Sequence, residues 1–280
     1  MIRILLPTDF SFNSRNAIFY AITLYKDEVC EFTLFHAYQV NGYIQNSTFV
    51  PEPEEKLLHL EKQNVEKKLC KLIGEIKIEH PNENHSFISI TQNTGLVTFI
   101  NEEVKNSSFE LIVIGTQGYT NSKNVAFGTN TKQMLEGVSN SPILAIPSHI
   151  KFSKITEIVL ATGFKTNPQP KEYSFIKKLV WKTNSELRVL FVDEGLGLNA
   201  SQIKNREILF SLLTDVSFTY HSLTHVTIPV GIYSFSESRE SNLIAFINRK
   251  HSFLENVLFN PLFKSVGNYA TIPVLIIPAS

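Results

Sequence analysis

Gly115, Gly118, Gly128 and Thr129 are the residues whose types and spacing suggest chemistry, in the pattern G-x2-G-x9-G-[ST]. They follow a β-like apolar run, Leu111–Ile114, and precede a helix-like segment, Thr131–Val138. Glycine lets backbone approach a ligand closely and take φ > 0 conformations. A helix start offers unpaired N–H groups and a partial positive charge, which attract phosphate. Thr129 or Asn130 could cap that helix or turn a polar group toward a phosphate oxygen. The alternative is mechanical: glycines in a strand-to-helix turn can simply relieve strain. Neither G-x4-G-K-[ST] nor a G-x-G-x-x-G after a strand occurs, so the commoner phosphate loops are excluded.

Alternating elements must position these residues. Ile2–Leu6 reads as a buried strand ending at Pro7-Thr8-Asp9. A helix capped by Ser11 or Asn13 then runs through Ala17, Ile18, Ala21, Ile22 and Tyr25. Glu31–Tyr38 is a second strand, and a 16-residue polar stretch, Gln39–Glu54, is long enough to suggest a functional loop. Leu57–Ile73 is a charged helix whose apolar face comprises Leu57, Leu60, Val65, Leu69 and Leu72. Ser86–Thr91 is a third strand, Gly95–Lys105 a helix and Pro142–Pro147 a fifth strand. Strands alternating with helices predict an α/β fold: a doubly wound, open, Rossmann-like parallel sheet. Such sheets bind ligands beyond the carboxyl ends of their strands, so Asp9 and Gly115 are predicted to rim one crevice.

From Phe152 the order starts again. Ile158–Leu160 parallels Ile4–Leu6, Glu186–Val192 parallels Glu31–Ala37, Asn242–Ile247 parallels Glu110–Gly115, and Ile272–Pro278 parallels Ser141–Pro147. The offsets, 131 to 155 residues, predict an internal duplication into domains 1–150 and 151–280, joined near Lys151–Ser153. The second copy loses the glycine pattern. Gly115, Gly118, Gly128 and Thr129 become Ile247, Lys250, Asn260 and Pro261, and Asp9 becomes Gly163.

Pro7–Ala21 (PTDFSFNSRNAIFYA) together with the Gly115–Thr129 pattern resembles the ATP-binding type of universal stress protein, here in tandem over the whole chain. The resemblance implies two domains like the adenine nucleotide alpha hydrolases, paired about a pseudo-two-fold through Ile143–Pro147 and Val274–Pro278. It implies that Pro7, Thr8, Asp9 and Ala37 surround adenine and ribose, and that Ile114 and Gly115 flank the ribose. Gly118, Gly128, Thr129 and Asn130 would lie on the phosphates of ATP, ADP or AMP. Asp9, repelled by phosphate, would meet base and ribose donors, or else cap a helix. Lys123 is the one cation in Gln117–Asn124, so phosphate affinity would rest on backbone N–H groups, with Mg²⁺ where it accompanies ATP.

The composition, 43% hydrophobic and 19% charged with zero formal net charge, suits a packed core. Balanced charge gives no reason to expect nucleic acid or an anionic membrane as partner. Apolar runs are too short for a membrane span, and Cys30 and Cys70 read as buried reduced thiols, so a soluble cytoplasmic protein is expected. His36 reads as a core histidine, and His221 and His225 as sharing one strand face without a ligand set for metal. The leading expectation is a nucleotide-dependent stress or signalling module with an unidentified protein partner. Its alternatives are a slow Mg-dependent ATPase and an interaction protein whose site is unused.

Overall fold

The computed structural model describes residues 1–38, 54–106, 109–116, 128–138, 141–195, 197–248 and 272–279; at 54–55, 103–106 and 129–130 only the backbone is described. The chain opens with β1 (Ile2–Pro7), α1 (Phe12–Leu24), β2 (Cys30–Ala37), α2 (Glu54–Glu79) and β3 (His85–Gln92). Next come α3 (Leu96–Asn106), β4 (Leu111–Gly115), α4 (Thr129–Gly137) and β5 (Ile143–Ile146). The sequence then repeats as β6 (Glu157–Ala161), α5 (Pro170–Thr183), β7 (Glu186–Asp193), α6 (Ala200–Leu212) and β8 (Phe218–Thr224). It closes with α7 (Ile228–Ser238), β9 (Leu243–Asn248) and β10 (Val274–Pro278). Local chemistry sets several of these boundaries. Ser11 caps α1 by accepting the N–H of Ser14 at 3.2 Å, while Gln169 with Glu172 and Asn199 with Gln202 form capping boxes for α5 and α6.

The strands form one ten-stranded sheet in the order β3-β2-β1-β4-β5-β10-β9-β6-β7-β8. Neighbours run parallel except β5 and β10, which are antiparallel. Two tandem doubly wound units therefore join through their last strands. Register locates the pseudo-two-fold. Ile143 pairs with Ile112 as Val274 pairs with Ile244, so Ile143 and Val274 are equivalent. Across the seam Leu144 faces its own equivalent, Leu275, while Ile143 faces Ile276 and Ala145 faces Val274. The rotation axis thus passes beside the Leu144–Leu275 pair. Pairing also covers what would otherwise be two apolar, aggregation-prone edges.

Helices cover both faces. One core cluster joins α1, α2, α5 and α6 to the sheet through residues such as Ile18, Leu69, Ile176 and Leu209. The other joins α3, α4 and α7 through Phe99, Met134 and Ile232. Both clusters run across the seam. The Lys182–Glu28 and Lys178–Glu110 ion pairs also cross it, the latter at 2.8 Å. The connection after β5 packs on α1: Asn16 donates to the carbonyls of Pro147 (3.3 Å) and Ile150 (2.8 Å), and Phe152 meets Tyr20 edge-on.

Three sequence expectations are corrected. The buried stripe of α2 begins at Val65; Leu57 and Leu60 are 41% and 50% exposed. Cys30 is buried, but Cys70 lies on the exposed face of α2. His225 follows the end of β8 with a φ of 62°, so it does not share a strand face with His221. No helix among the described residues is long and apolar enough to cross a membrane.

Candidate functional site

Because β1 lies between β2 and β4, Pro7, Ala37 and Gly115 end side by side at the carboxyl edge of the sheet. Strand order reverses there, with α1 on one face and α3 and α4 on the other, which opens a crevice. It holds about 100 Å³. Pockets that enclose a small ligand start at about 300 Å³, so the walled part would surround only a fraction of a nucleotide.

Six of the sequence-selected residues line it: Pro7, Thr8, Asp9, Ala37, Ile114 and Gly115. Gly128 stands at the N-cap of α4 without a side-chain cap, and Thr129 and Asn130 supply the first helical backbone units. Gly118 lies outside the described residues, as do the second-copy positions Lys250, Asn260 and Pro261.

The β1–α1 turn is tightly specified. Thr8 Oγ1 accepts the Phe10 N–H at 3.0 Å and hydrogen-bonds Ser14 Oγ at 3.0 Å. Asp9 Oδ1 accepts the Ser11 N–H at 3.0 Å, so Asp9 shapes the turn before the helix while Ser11 is the cap. Phe10 sits at φ 63°, an unusual conformation for a bulky residue that these bonds enforce. Lys68 from α2 stands 5.8 Å from the centre of its ring.

Gly115 has a packing reason. A Cβ there would lie 3.0 Å from both the carbonyl carbon and the oxygen of Asn13, so the residue lets the first turn of α1 press against β4. The α4 side is anchored by Thr131, whose hydroxyl donates to the Gly115 carbonyl at 2.8 Å, and by the Gly128 N–H donating to Thr116 O at 2.7 Å.

His36 departs from the core role expected of it. It lines the crevice, and its Nδ1–H donates to Thr8 O at 2.7 Å while its ring lies 4.7 Å from that of Phe10. Ser14, Phe35, Leu96, Thr131 and Met134 also line the site unforeseen. In sequence, Phe35, Leu96 and Met134 look like any core-facing residue; Thr131, two positions after Thr129, carried the one usable signal.

The second half copies the scaffold and ties its first turn to α6. Thr162 Oγ1 accepts the Phe164 N–H at 3.2 Å and Phe164 sits at φ 53°, as in the Thr8–Phe10 turn, but Gly163 replaces Asp9. Gln202 and Asn205 of α6 donate to the carbonyls of Gly163 and Phe164 at 2.9 and 2.8 Å, occupying the turn from above. Eight residues separate β6 from α5, against four between β1 and α1, so Ile247 is tolerated where Gly115 is needed.

The model of the universal stress protein family matches residues 1–147, more than half of the chain. The chain belongs to the universal stress protein family. Among solved structures, a universal stress protein from Archaeoglobus fulgidus DSM 4304 superimposes with a TM-score of 0.69 at 17% identity, covering 99% of this chain and 98% of that one. A functionally unknown protein from Pseudomonas aeruginosa PAO1 gives 0.54 at 12% identity, covering 99% and 92%. The cytoplasmic domain of a prokaryotic cation chloride cotransporter also gives 0.54, at 11% identity, covering 99% and 95%. A search of curated proteins returned no match. At these identities the structures establish the universal stress protein fold across both halves, and the family match rests on the first.

Proposed function

We propose that this universal stress protein binds one adenine nucleotide, ATP foremost, in its N-terminal half and acts as a nucleotide-dependent stress-response or signalling module. The observation that carries this reading is the crevice at the β1–β4 switch point, with α4 starting at its rim. Pro7, Thr8, Asp9, Ala37, Ile114 and Gly115 would hold adenine and ribose in the walled part. The phosphates would lie outward, on the backbone N–H groups of Gly118, Gly128, Thr129 and Asn130. The small walled volume supports this division in part, since it surrounds only a fraction of the nucleotide and leaves the phosphates near solvent. Mg²⁺ would take most of its oxygens from the phosphates, for the described residues contain no cluster of three His, Cys, Asp or Glu.

The two domains would be 1–150 and 151–280, the second serving as a built-in dimer partner in place of a second subunit. Cytoplasmic location and an unidentified protein that reads nucleotide occupancy belong to the same proposal. Among the described residues lining the crevice Asp9 is the sole carboxylate, and one of its oxygens already holds the turn, which favours binding over hydrolysis. The test is mass spectrometry of small molecules released from the purified full chain, followed by single-turnover assay with ATP and Mg²⁺. An adenine nucleotide released intact, and not turned over, is expected. Protein that carries none and takes up none would overturn the reading.

A further inference from the structure

The helix at the rim of the crevice is held from both halves. At its start, α4 is tied to β4 by the Thr131–Gly115 and Gly128–Thr116 bonds. Its side chains Met134 and Leu135 are fully buried. At its end, two carbonyls of its last turn accept from side-chain amides. Asn101 of α3 donates to Gly137 O at 2.9 Å. Asn248, the last residue of β9 in the other half, donates from Nδ2 to Leu135 O at 3.2 Å. The backbone of Asn248 is itself fixed, because its carbonyl accepts the Ala279 N–H at 3.2 Å and its position is in register with Pro278 of β10.

By the offset that equates β4 with β9, Asn248 stands where the first half has Thr116. Thr116 O holds the start of α4, and its counterpart holds the end of the same helix across the seam. A nine-residue helix is about 14 Å long at 1.5 Å per residue, so a shift at its carboxyl end is carried to its amino end.

We propose that Asn248 is a positioning residue through which the C-terminal half sets the placement of α4, and thereby affinity for the phosphate portion of the nucleotide. This rests on the nucleotide reading above. It gives the half without a binding loop a specific task beyond covering the β5 edge. Because α4 meets phosphate and not base, losing the amide should weaken binding in proportion to the phosphates present.

The experiment compares full-length wild type, Asn248→Ala and Asn248→Ser, with ATP and with adenosine as probes in parallel calorimetric titrations. Far-UV circular dichroism and Trp181 fluorescence check folding. A single hydrogen bond predicts an ATP affinity about threefold to tenfold weaker in the variants, with adenosine affinity unchanged within about twofold. Unchanged ATP affinity in folded variants overturns the proposal. So does equal weakening for ATP and adenosine, or failure of both variants to fold, since either makes the amide a general structural support. Wild-type protein that binds neither probe would instead refute the nucleotide reading itself, and the inference with it.

Discussion

Glu157, at the start of β6, offers a sharp quantitative test of how the C-terminal half is held together. It is 9% exposed and accepts from Arg239 Nε and Nη2 at 2.9 and 2.8 Å, Arg188 Nε at 2.7 Å and Ser241 Oγ at 2.7 Å. Burial alone would raise its pKa, but the hydrogen bonds from Arg239, Arg188 and Ser241 outweigh that and bring it from 4.5 down to about 2. A carboxylate whose folded pKa is depressed stabilises the fold above its unfolded pKa, and the contribution fades as pH falls toward the folded value. At about 1.4 kcal/mol per pH unit, ionised Glu157 contributes about 3 kcal/mol at pH 7, falling to about 1.5 kcal/mol near pH 3. Glu157→Gln keeps the shape and removes the charge, so it should lose that amount at pH 7 and progressively less in acid. Urea unfolding at a series of pH values measures this, followed by the fluorescence of Trp181, the single tryptophan, whose Nε1 donates to Asp215 O in the same half. A wild-type advantage that stays constant from pH 7 to pH 3, or is absent throughout, would refute the electrostatic account.

Gly115→Ala should cost about 1–3 kcal/mol in urea unfolding, because the added Cβ forces the first turn of α1 away from β4, and ATP titration should show weaker binding as the crevice distorts. Gly118→Val should abolish ATP binding in calorimetry while circular dichroism stays native, if the backbone there approaches phosphate. Residues 1–150 expressed alone expose the β5 edge, whose four residues are buried in the full chain, so light scattering should find dimers or larger species. A stable monomer that binds ATP as tightly as the full chain would remove the partner role of the second half.

Much of the architecture was legible because the apolar runs change period so regularly. Buried strands such as Ile2–Pro7 and Leu111–Gly115 are continuous apolar blocks, and the repeat made the second half readable by offset. The paired seam was legible too, since two proline-bounded apolar strands need a partner each. What failed depends on distance in space. Leu57 and Leu60 have the right spacing for the buried stripe of α2, yet burial begins only at Val65. Nothing local distinguishes His36 on the crevice wall from a core histidine; its placement follows from the Thr8 carbonyl in the β1–α1 turn. At Gly115 the mechanical reading that the glycine pattern left open holds, since a Cβ there would meet the backbone of Asn13. The bonds from Gln202 and Asn205 to the β6–α5 turn were invisible, because those residues reach Gly163 and Phe164 from 39 and 41 positions away.

The central claim, that one half binds nucleotide and the other does not, is tested most directly by the stoichiometry of ATP binding to the full chain. Isothermal titration calorimetry in the presence of Mg²⁺ should give one site per chain. The same value should hold after Gly163→Asp, because the α6 amides still occupy that turn. Two equivalent sites per chain, or none, would contradict the account.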